Sequence, residues 1–302
     1  MPLRFLCACF VAALLACHVS LHAQDMPLSD LLIDGEGWHL VSEGHKFTEG
    51  PAVDDQGNVF FVDVPESKIF KISASDGKVS VFVADSGKAS GLMFGGDGRL
   101  YAAQSGKQGV AAYDAAGKET TIASGIPVND LVVTKDNHIY VTDLGNKQVW
   151  HIDPQGNKKV ADLGIEKPNG LILWPDQKTL VVSDFGGNHL WAFRIATDGS
   201  LQHRQPYYTV QLTSANILAG KAESGGDGMT VDKDGRIYVC THAGLQVFDT
   251  QGRLSGIIAK PQEKFLSNVT YGGEKLDTLY VTCLDKVYSR KTKTTGLRNW
   301  GK

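Results

Sequence analysis

Apolar and polar residues alternate with period two in short runs along most of this chain, the signature of half-buried β-strands. Met229–Val231 and Arg236–Cys240 are two such runs, and Asp232-Lys-Asp-Gly235 lies between them. Asp-Gly between alternating runs is the strongest short-range hairpin signal. The same unit recurs. It is Glu49-Gly-Pro51 with Val59–Asp63, then Ser90-Gly-Leu92 with Leu100–Gln104, then Asn129-Asp-Leu131 with Ile139–Asp143. The fourth is Asn169-Gly-Leu171 with Leu180–Asp184, and the sixth, after the opening example, is Asn268-Val-Thr270 with Leu279–Cys283.

The lead residues Glu49, Ser90, Asn129, Asn169, Asp227 and Asn268 are spaced by 41, 39, 40, 58 and 41 positions. A hairpin repeat of about 40 residues reads as one four-stranded blade of a β-propeller, so six copies predict six blades. Third strands are legible at Lys68–Ile72, Gly109–Tyr113, Gln148–Ile152, Leu190–Arg194 and Leu245–Phe248, and fourth strands at Val79–Val83 and Lys159–Ala161. Trp38–Glu43 also alternates and precedes the first copy, so it is placed to complete the last blade and close the ring. Closure removes an unpaired strand edge. The step of 58 locates an insertion around Leu212–Ser224. Insertions of this kind sit at blade rims, either over a site or as passive loops. No segment has a sustained helical period.

Met1–Ala23 has one positive charge, Arg4, an apolar run from Leu3 to Cys17, and Leu21-His-Ala23 at its end. It reads as a secretory signal peptide, too short in its apolar part for a membrane span. A lipoprotein reading at Cys17, from Leu14-Leu-Ala-Cys17, is the alternative. Residues 24–34 are expected to be a linker and residues 35–302 the propeller domain. The full chain of 302 residues carries a formal charge of −3, and loss of Arg4 makes the mature form −4. With no basic clusters, nucleic acid is not an expected partner. No transmembrane span is expected in the mature chain, which should be a secreted or periplasmic monomer. Three of the five cysteines lie in the targeting segment. Cys240 and Cys283 remain, one register step apart on neighbouring blades, and are expected as free buried thiols.

In a propeller the inner strands line the axis, so the six lead residues form a ring at one mouth of the channel. Every one offers an oxygen, and two are carboxylates. A turn explains Asn or Asp in any single loop, but not the same register in four of six blades, nor Glu49. Buried carboxylates without cations repel and are costly to desolvate. A bound cation balances them. Oxygen ligands suit a hard ion, Ca²⁺ first, then Mg²⁺ or Mn²⁺. Zn²⁺ is disfavoured because the ring has no His or Cys. Asp63, Asp143 and Asp184, at the ends of returning strands, should lie just outside the ring.

Phe47-Thr-Glu-Gly-Pro51, Asn129-Asp130, Lys167-Pro-Asn-Gly170, Asp227-Gly228, and Asn268-Val-Thr-Tyr-Gly-Gly273 with Leu279-Tyr-Val-Thr282 occur in order at blade spacing. Together they resemble the gluconolactonase / regucalcin (senescence marker protein) / luciferin-regenerating enzyme family from about Trp38 to Tyr288. The resemblance implies a six-bladed propeller with one divalent cation, usually calcium, in the channel. It implies metal ligands at Glu49, Asn169 and Asp227, with Asn129 bound directly or through water. It also makes Asp227 the candidate general base or nucleophile. Ser90, Asn129 and Asn268, members of the same ring, are the candidate substrate contacts. Three positions depart from the pattern. Pro127 stands where aldonolactonases of the family tend to carry an Arg that contacts the sugar acid. Ser90 stands where many relatives have Asn, and Gln104 where many have an acid.

The expected activity is therefore metal-dependent opening of a lactone, with a small lactone or ester as substrate. Organophosphate or aryl-ester hydrolysis at the same site is the alternative within the fold. A calcium-stabilised binding module is the alternative of another class, since propellers host many functions.

Overall fold

A computed structural model describes residues 27–297. The targeting segment, Met1–Ala23, and Cys17 within it, lie outside the described residues. Six four-stranded antiparallel sheets are arranged as six blades. Blade one runs Thr48–Val83, blade two Ala89–Ser124, blade three Leu131–Leu163, blade four Pro168–Thr209 and blade five Met229–Ile258. Blade six takes three strands from Leu266–Lys291 and its outer strand, His39–Glu43, from near the start of the chain. The ring is closed in the way the alternation of Trp38–Glu43 predicts. A second closure lies at the axis, where the Ser267 hydroxyl donates to the Thr48 carbonyl at 2.8 Å.

The repeat owes its hairpins to one turn chemistry. In Asp54–Gly57, Asp114–Gly117, Asp153–Gly156, Asp232–Gly235 and Asp249–Gly252, an Asp opens the turn and a Gly with φ between +78° and +86° ends it. The Asp carboxylate accepts two amides of the turn. For Asp54 these are Gln56 at 3.0 Å and Asn58 at 2.8 Å, and for Asp153 they are Gln155 at 2.9 Å and Asn157 at 2.8 Å. An L side chain is strained in that left-handed region, which is why Gly recurs there.

Burial falls from the axis outwards. The inner and returning strands are almost wholly buried, whereas outer strands such as His39–Glu43 and Lys158–Leu163 are largely exposed. Facing blades pack Tyr140, Phe61, Phe248, Ile69 and Leu100 at near-zero exposure. Each such side chain contributes about 1.5–3 kcal/mol by leaving water. Cys240 and Cys283 are both free and buried in the core between blades five and six. Within residues 24–34, Leu28–Asp30 form a 3-10 turn and Leu31 is buried against that same core. The insertion between blades four and five carries one short helix, Ser214–Leu218, capped by the Thr213 side chain. No helix among the described residues is long and apolar enough to cross a membrane.

The two ends of the channel differ. At the far end the C-terminal segment packs against blades five and six: Lys233 donates its amide to the Thr295 carbonyl, the Thr294 hydroxyl donates to the Asp232 carboxylate, and the Gly296 amide donates to the Leu276 carbonyl. Leu297 lines the channel there. The end where the inner strands begin carries the six lead residues.

Candidate active site

Each inner strand starts at the mouth, and its lead residue is held by the hairpin beneath it. Glu49 pairs across to Val62. The Asp227 amide donates to the Cys240 carbonyl at 2.9 Å, and the Gly228 amide to the Ser267 carbonyl at 2.9 Å. Glu49, Asn169, Asp227 and Asn268 are buried, with exposures of 8, 6, 5 and 6%. Ser90 and Asn129 are only half-buried. The channel below is a cavity of about 60 Å³ with apolar walls, among them Met93, Leu131, Ile172, Met229 and Val269. Small-molecule sites usually occupy roughly 300–1,000 Å³. A substrate must therefore be met at the mouth.

The ring is drawn together by direct contacts. The Asn268 amide donates to Glu49 Oε2 at 3.1 Å, and Glu49 Oε2 also accepts the Gly50 amide at 2.8 Å. Asn268 Oδ1 accepts the Val269 amide at 2.8 Å, which fixes which face of its carboxamide meets Glu49. Gly228 is what lets Asn268 in: a Cβ there would fall 1.9–2.3 Å from the Asn268 carboxamide. The Ser90 hydroxyl donates to the Asn129 carbonyl at 2.5 Å, and the Thr142 hydroxyl to the Asn169 carbonyl at 2.6 Å. Adjacent blades are thus tied to one another around the mouth.

One group at the site is absent from the sequence-derived ring. Asp130 is buried and lines the channel together with Asn268 of the opposite blade. Its Oδ1 accepts the Leu131 amide at 2.8 Å. It occupies the position that is Gly50, Gly91, Gly170 and Gly228 in four other copies. The neighbouring Gly91 leaves its space, since a Cβ there would come within 2.2 Å of Asp130 Oδ1. Reading one position past each lead residue exposes this: an acid standing in a glycine column is a signal the spacing alone misses.

Three carboxylates thus share the mouth. Burial holds Glu49 well above the usual carboxylate range, and the nearby Asp130 charge adds to it against the hydrogen bonds from Gly50 and Asn268. Burial pushes Asp130 up to about 7, opposed by the amides of Leu131 and Leu171 and by Asn268. Asp227 is held well above its ordinary value, first by burial and then by the charges of Glu49 and Asp130. No cation figures among the groups acting on any of the three. Among the described residues, no three His, Cys, Asp or Glu side chains are grouped to hold a metal ion by themselves. The donor set expected from the sequence is instead mixed: Glu49 and Asp227 with the amide oxygens of Asn129 and Asn169. Its two carboxylates and Asn169 are buried, Asn129 is half-buried, and every donor is an oxygen, a chemistry that fits a hard divalent cation.

The outer acids have a different duty. Asp63 accepts the amides of Lys46 at 3.1 Å and Phe47 at 3.3 Å. Asp184 accepts those of Lys167 at 2.9 Å and Gly187 at 3.0 Å, and Asp143 accepts the Asn146 amide at 3.0 Å. They brace the loops around the mouth. Gln104 is likewise committed, donating to the Ser86 carbonyl at 3.0 Å and to Tyr113 at 2.9 Å.

On blades four, five, six and one, those loops bring rings together. Phe47 and Phe265 are 6.2 Å apart and nearly parallel, Phe265 is 6.1 Å from Phe185, and His242 lies 5.4 Å from Phe185 and 6.2 Å from Phe265. Phe47 precedes Glu49 by two residues and Phe265 precedes Asn268 by three. Phe185 and His242 directly follow returning strands that end at this mouth.

A family model described as "SMP-30/Gluconolactonase/LRE-like region" matches residues 47–285. The chain is 25% identical to a gluconolactonase of Zymomonas mobilis, over 85% of this chain and 82% of that one. It is 25% identical to lactonase drp35 of Staphylococcus aureus, over 76% and 74%. Among solved structures, the gluconolactonase XC5397 of Xanthomonas campestris superimposes with a TM-score of 0.75 at 25% identity, covering 88% of this chain and 92% of that one. A regucalcin of Agrobacterium tumefaciens, described as calcium-binding, shares the fold with a TM-score of 0.73 at 18% identity, covering 87% and 96%.

Proposed function

The chain belongs to the SMP-30/gluconolactonase/LRE-like family, and from that premise we propose that it is a divalent-cation-dependent lactonase acting at the channel mouth. The observation that carries this is the convergence of Glu49, Asp130 and Asp227, all buried, beside Asn268 at the open end of the propeller. Its curated relatives named above are lactonases.

Glu49, Asn169, Asp227 and Asn129 would hold the ion, calcium before magnesium or manganese. Bound there, the ion supplies Lewis acidity at the lactone carbonyl and offsets the buried negative charge. Asp227 takes a proton from the attacking water as the water oxygen bonds to the carbonyl carbon. When the ring C–O bond breaks, that proton passes to the leaving alkoxide oxygen, and the product is a hydroxy acid. Asn268 is oriented by Glu49 and by its own main chain, which makes its amide a fixed donor at the mouth. Ser90 and Asn129, on the less buried side, are placed to meet the incoming substrate. Met1–Ala23 supports export of the protein to a secreted or periplasmic location.

The test is a screen of lactones and esters with the mature chain, each assayed with calcium and with chelator. Calcium-dependent ring opening is the expected result. Hydrolysis of aryl or phosphate esters without lactones would replace the substrate class. No turnover of any ester would favour a binding module.

A further inference from the structure

The rings at the mouth are not needed to hold the fold. Phe47, Phe185, His242 and Phe265 are each only half-buried, whereas the core rings Phe61, Tyr140 and Phe248 are fully enclosed. They come from four loops on four blades, yet they form one continuous surface. A contiguous, partly exposed apolar surface beside a polar site is the ordinary mark of a ligand wall. We propose that this wall sets substrate choice, and that the substrate is a lactone or ester carrying an aromatic or alkyl substituent. The inference rests on the hydrolase reading above and deepens it.

The wall is built to stay in place. The Asp63 carboxylate holds the Phe47 amide, and the Phe185 amide donates to the Lys167 carbonyl at 2.9 Å. The His242 amide donates to the Ser224 carbonyl at 3.0 Å, and the His242 ring packs against Gly225, where a Cβ would come within 2.3–2.6 Å. Fixed rings lose little freedom when they bind, so their contact with a ligand is not spent on ordering loops. Burial keeps His242 below its ordinary pKa, so the ring is mostly neutral at pH 7 and joins the apolar surface. The Lys167 ammonium lies over one face of Phe185, 5.5 Å from the ring centre, and pairs with Glu223 at 3.8 Å.

A polyhydroxylated lactone is a poor match for this surface. Three of its four rings offer no hydrogen bond, so sugar hydroxyls laid on them would give up water without replacement. Across the mouth, the Ser90 hydroxyl already gives its proton to the Asn129 carbonyl. An aryl or alkyl group is rewarded there instead: ring–ring contact is favourable in offset or edge-on geometry, and the substituent leaves water. The reacting ester would then sit beside Asn268 and Asp227, at the foot of the wall.

The experiment compares kcat/KM for three six-membered lactones with the calcium-loaded mature chain: 4-phenyl-δ-valerolactone, unsubstituted δ-valerolactone, which shares its primary alkoxide leaving group, and glucono-δ-lactone. The phenyl-substituted lactone should exceed the unsubstituted one by at least about tenfold, the scale at which a pocket reads a single apolar group. Phe265→Ala should bring that ratio close to one, chiefly through KM, and Phe265→Leu should restore much of it. Glucono-δ-lactone as the fastest substrate would overturn the proposal while leaving the hydrolase reading intact. So would an unchanged ratio in Phe265→Ala. If no lactone is opened, the hydrolase reading fails, and calorimetry with 5-hydroxy-3-phenylpentanoate and 5-hydroxypentanoate then tests the wall alone. Tighter binding of the aryl acid supports it, and equal or no binding overturns it.

Discussion

Blades four, five, six and one roof their side of the mouth with rings, whereas blades two and three leave theirs open. Both sides are made of the same hairpin repeat with the same Asp-x-x-Gly turn chemistry at the far end. The difference lies in the few residues just before each inner strand and just after each returning strand. On the closed side these include Phe47, Phe185, His242 and Phe265. On the open side, residues 84–88, 105–108, 125–128 and 144–147 contain no aromatic residue. The buried ring members Glu49, Asn169, Asp227 and Asn268 all belong to the roofed blades, and the half-buried ones, Ser90 and Asn129, to the open blades. A repeat can therefore fix the scaffold while short loops divide it into a dry half for chemistry and a wet half for entry. Low dielectric on the roofed side is what makes its charges strong.

The sharpest way to break this division is at Asp227. Asp227→Asn should lose about 10²–10⁴-fold in kcat, the scale of a general base, and saturating calcium should not restore it. Glu49→Gln, the matched control, should regain most of its activity as calcium is raised, because it is asked only to hold the ion. Parallel rescue of both would reduce Asp227 to a ligand. Steady-state rates across a calcium series decide this.

Calcium should also stabilise the mouth. Three buried carboxylates, with Asp130 raising Glu49 and both raising Asp227, gain a counter-charge on binding. At calcium one hundredfold above Kd, the folded state gains about 2.7 kcal/mol. Thermal melts with calcium and with chelator should differ accordingly, and coincident melts would contradict the cation reading.

Packing gives the next contrast. Gly228→Ala places a methyl within 1.9–2.3 Å of Asn268 and should cost about 1–3 kcal/mol by overpacking. On the open side, Gly145 has nothing nearer than the Asp143 carboxylate at 3.8 Å, so Gly145→Ala should stay within about 0.5 kcal/mol of the parent. Denaturant midpoints of the two variants measure the difference.

The smallest effect belongs to blade three, at its end away from the mouth. His138 Nδ1 and His151 Nε2 are 2.8 Å apart, and burial, then the neighbouring His138 and Lys159 charges, lower His151 to about 4, with Asp153 and Asp198 acting the other way. A depressed imidazole pKa means the folded state prefers the neutral ring. The stability it contributes is present above about pH 6.5 and is lost as pH falls towards 4. Melts from pH 7 to 4.5 should show a loss on the order of 1 kcal/mol that His151→Gln lacks. Because this pair is remote from the mouth, calcium should not change the size of that loss.

How much of this was legible in the sequence follows the same division. The strand pattern predicts Lys68–Ile72, Gly109–Tyr113, Gln148–Ile152 and Val79–Val83 at their observed bounds, because hairpin turns and alternation are local. Trp38–Glu43 was readable as the closing strand since an unpaired edge had to be covered. The ring of lead residues was readable because register repeats. Asp130 was legible only as an acid in a column of glycines, because its standing opposite Asn268 across the axis is a relation no single copy displays. The aromatic wall was not legible. Phe47 and Phe265 come before inner strands and Phe185 and His242 after returning strands, and only the circular arrangement of blades brings the two kinds of position together. The outer acids Asp63, Asp143 and Asp184 were expected just outside the ring, and their amide contacts identify them as loop braces.

The most direct measurement is the initial rate of lactone opening by the mature chain, stripped with chelator and then titrated with calcium. The account predicts a rate at background when stripped and a saturable return as calcium is added. A rate that chelator leaves unchanged would contradict it, since the buried carboxylates of the mouth would then act without a cation.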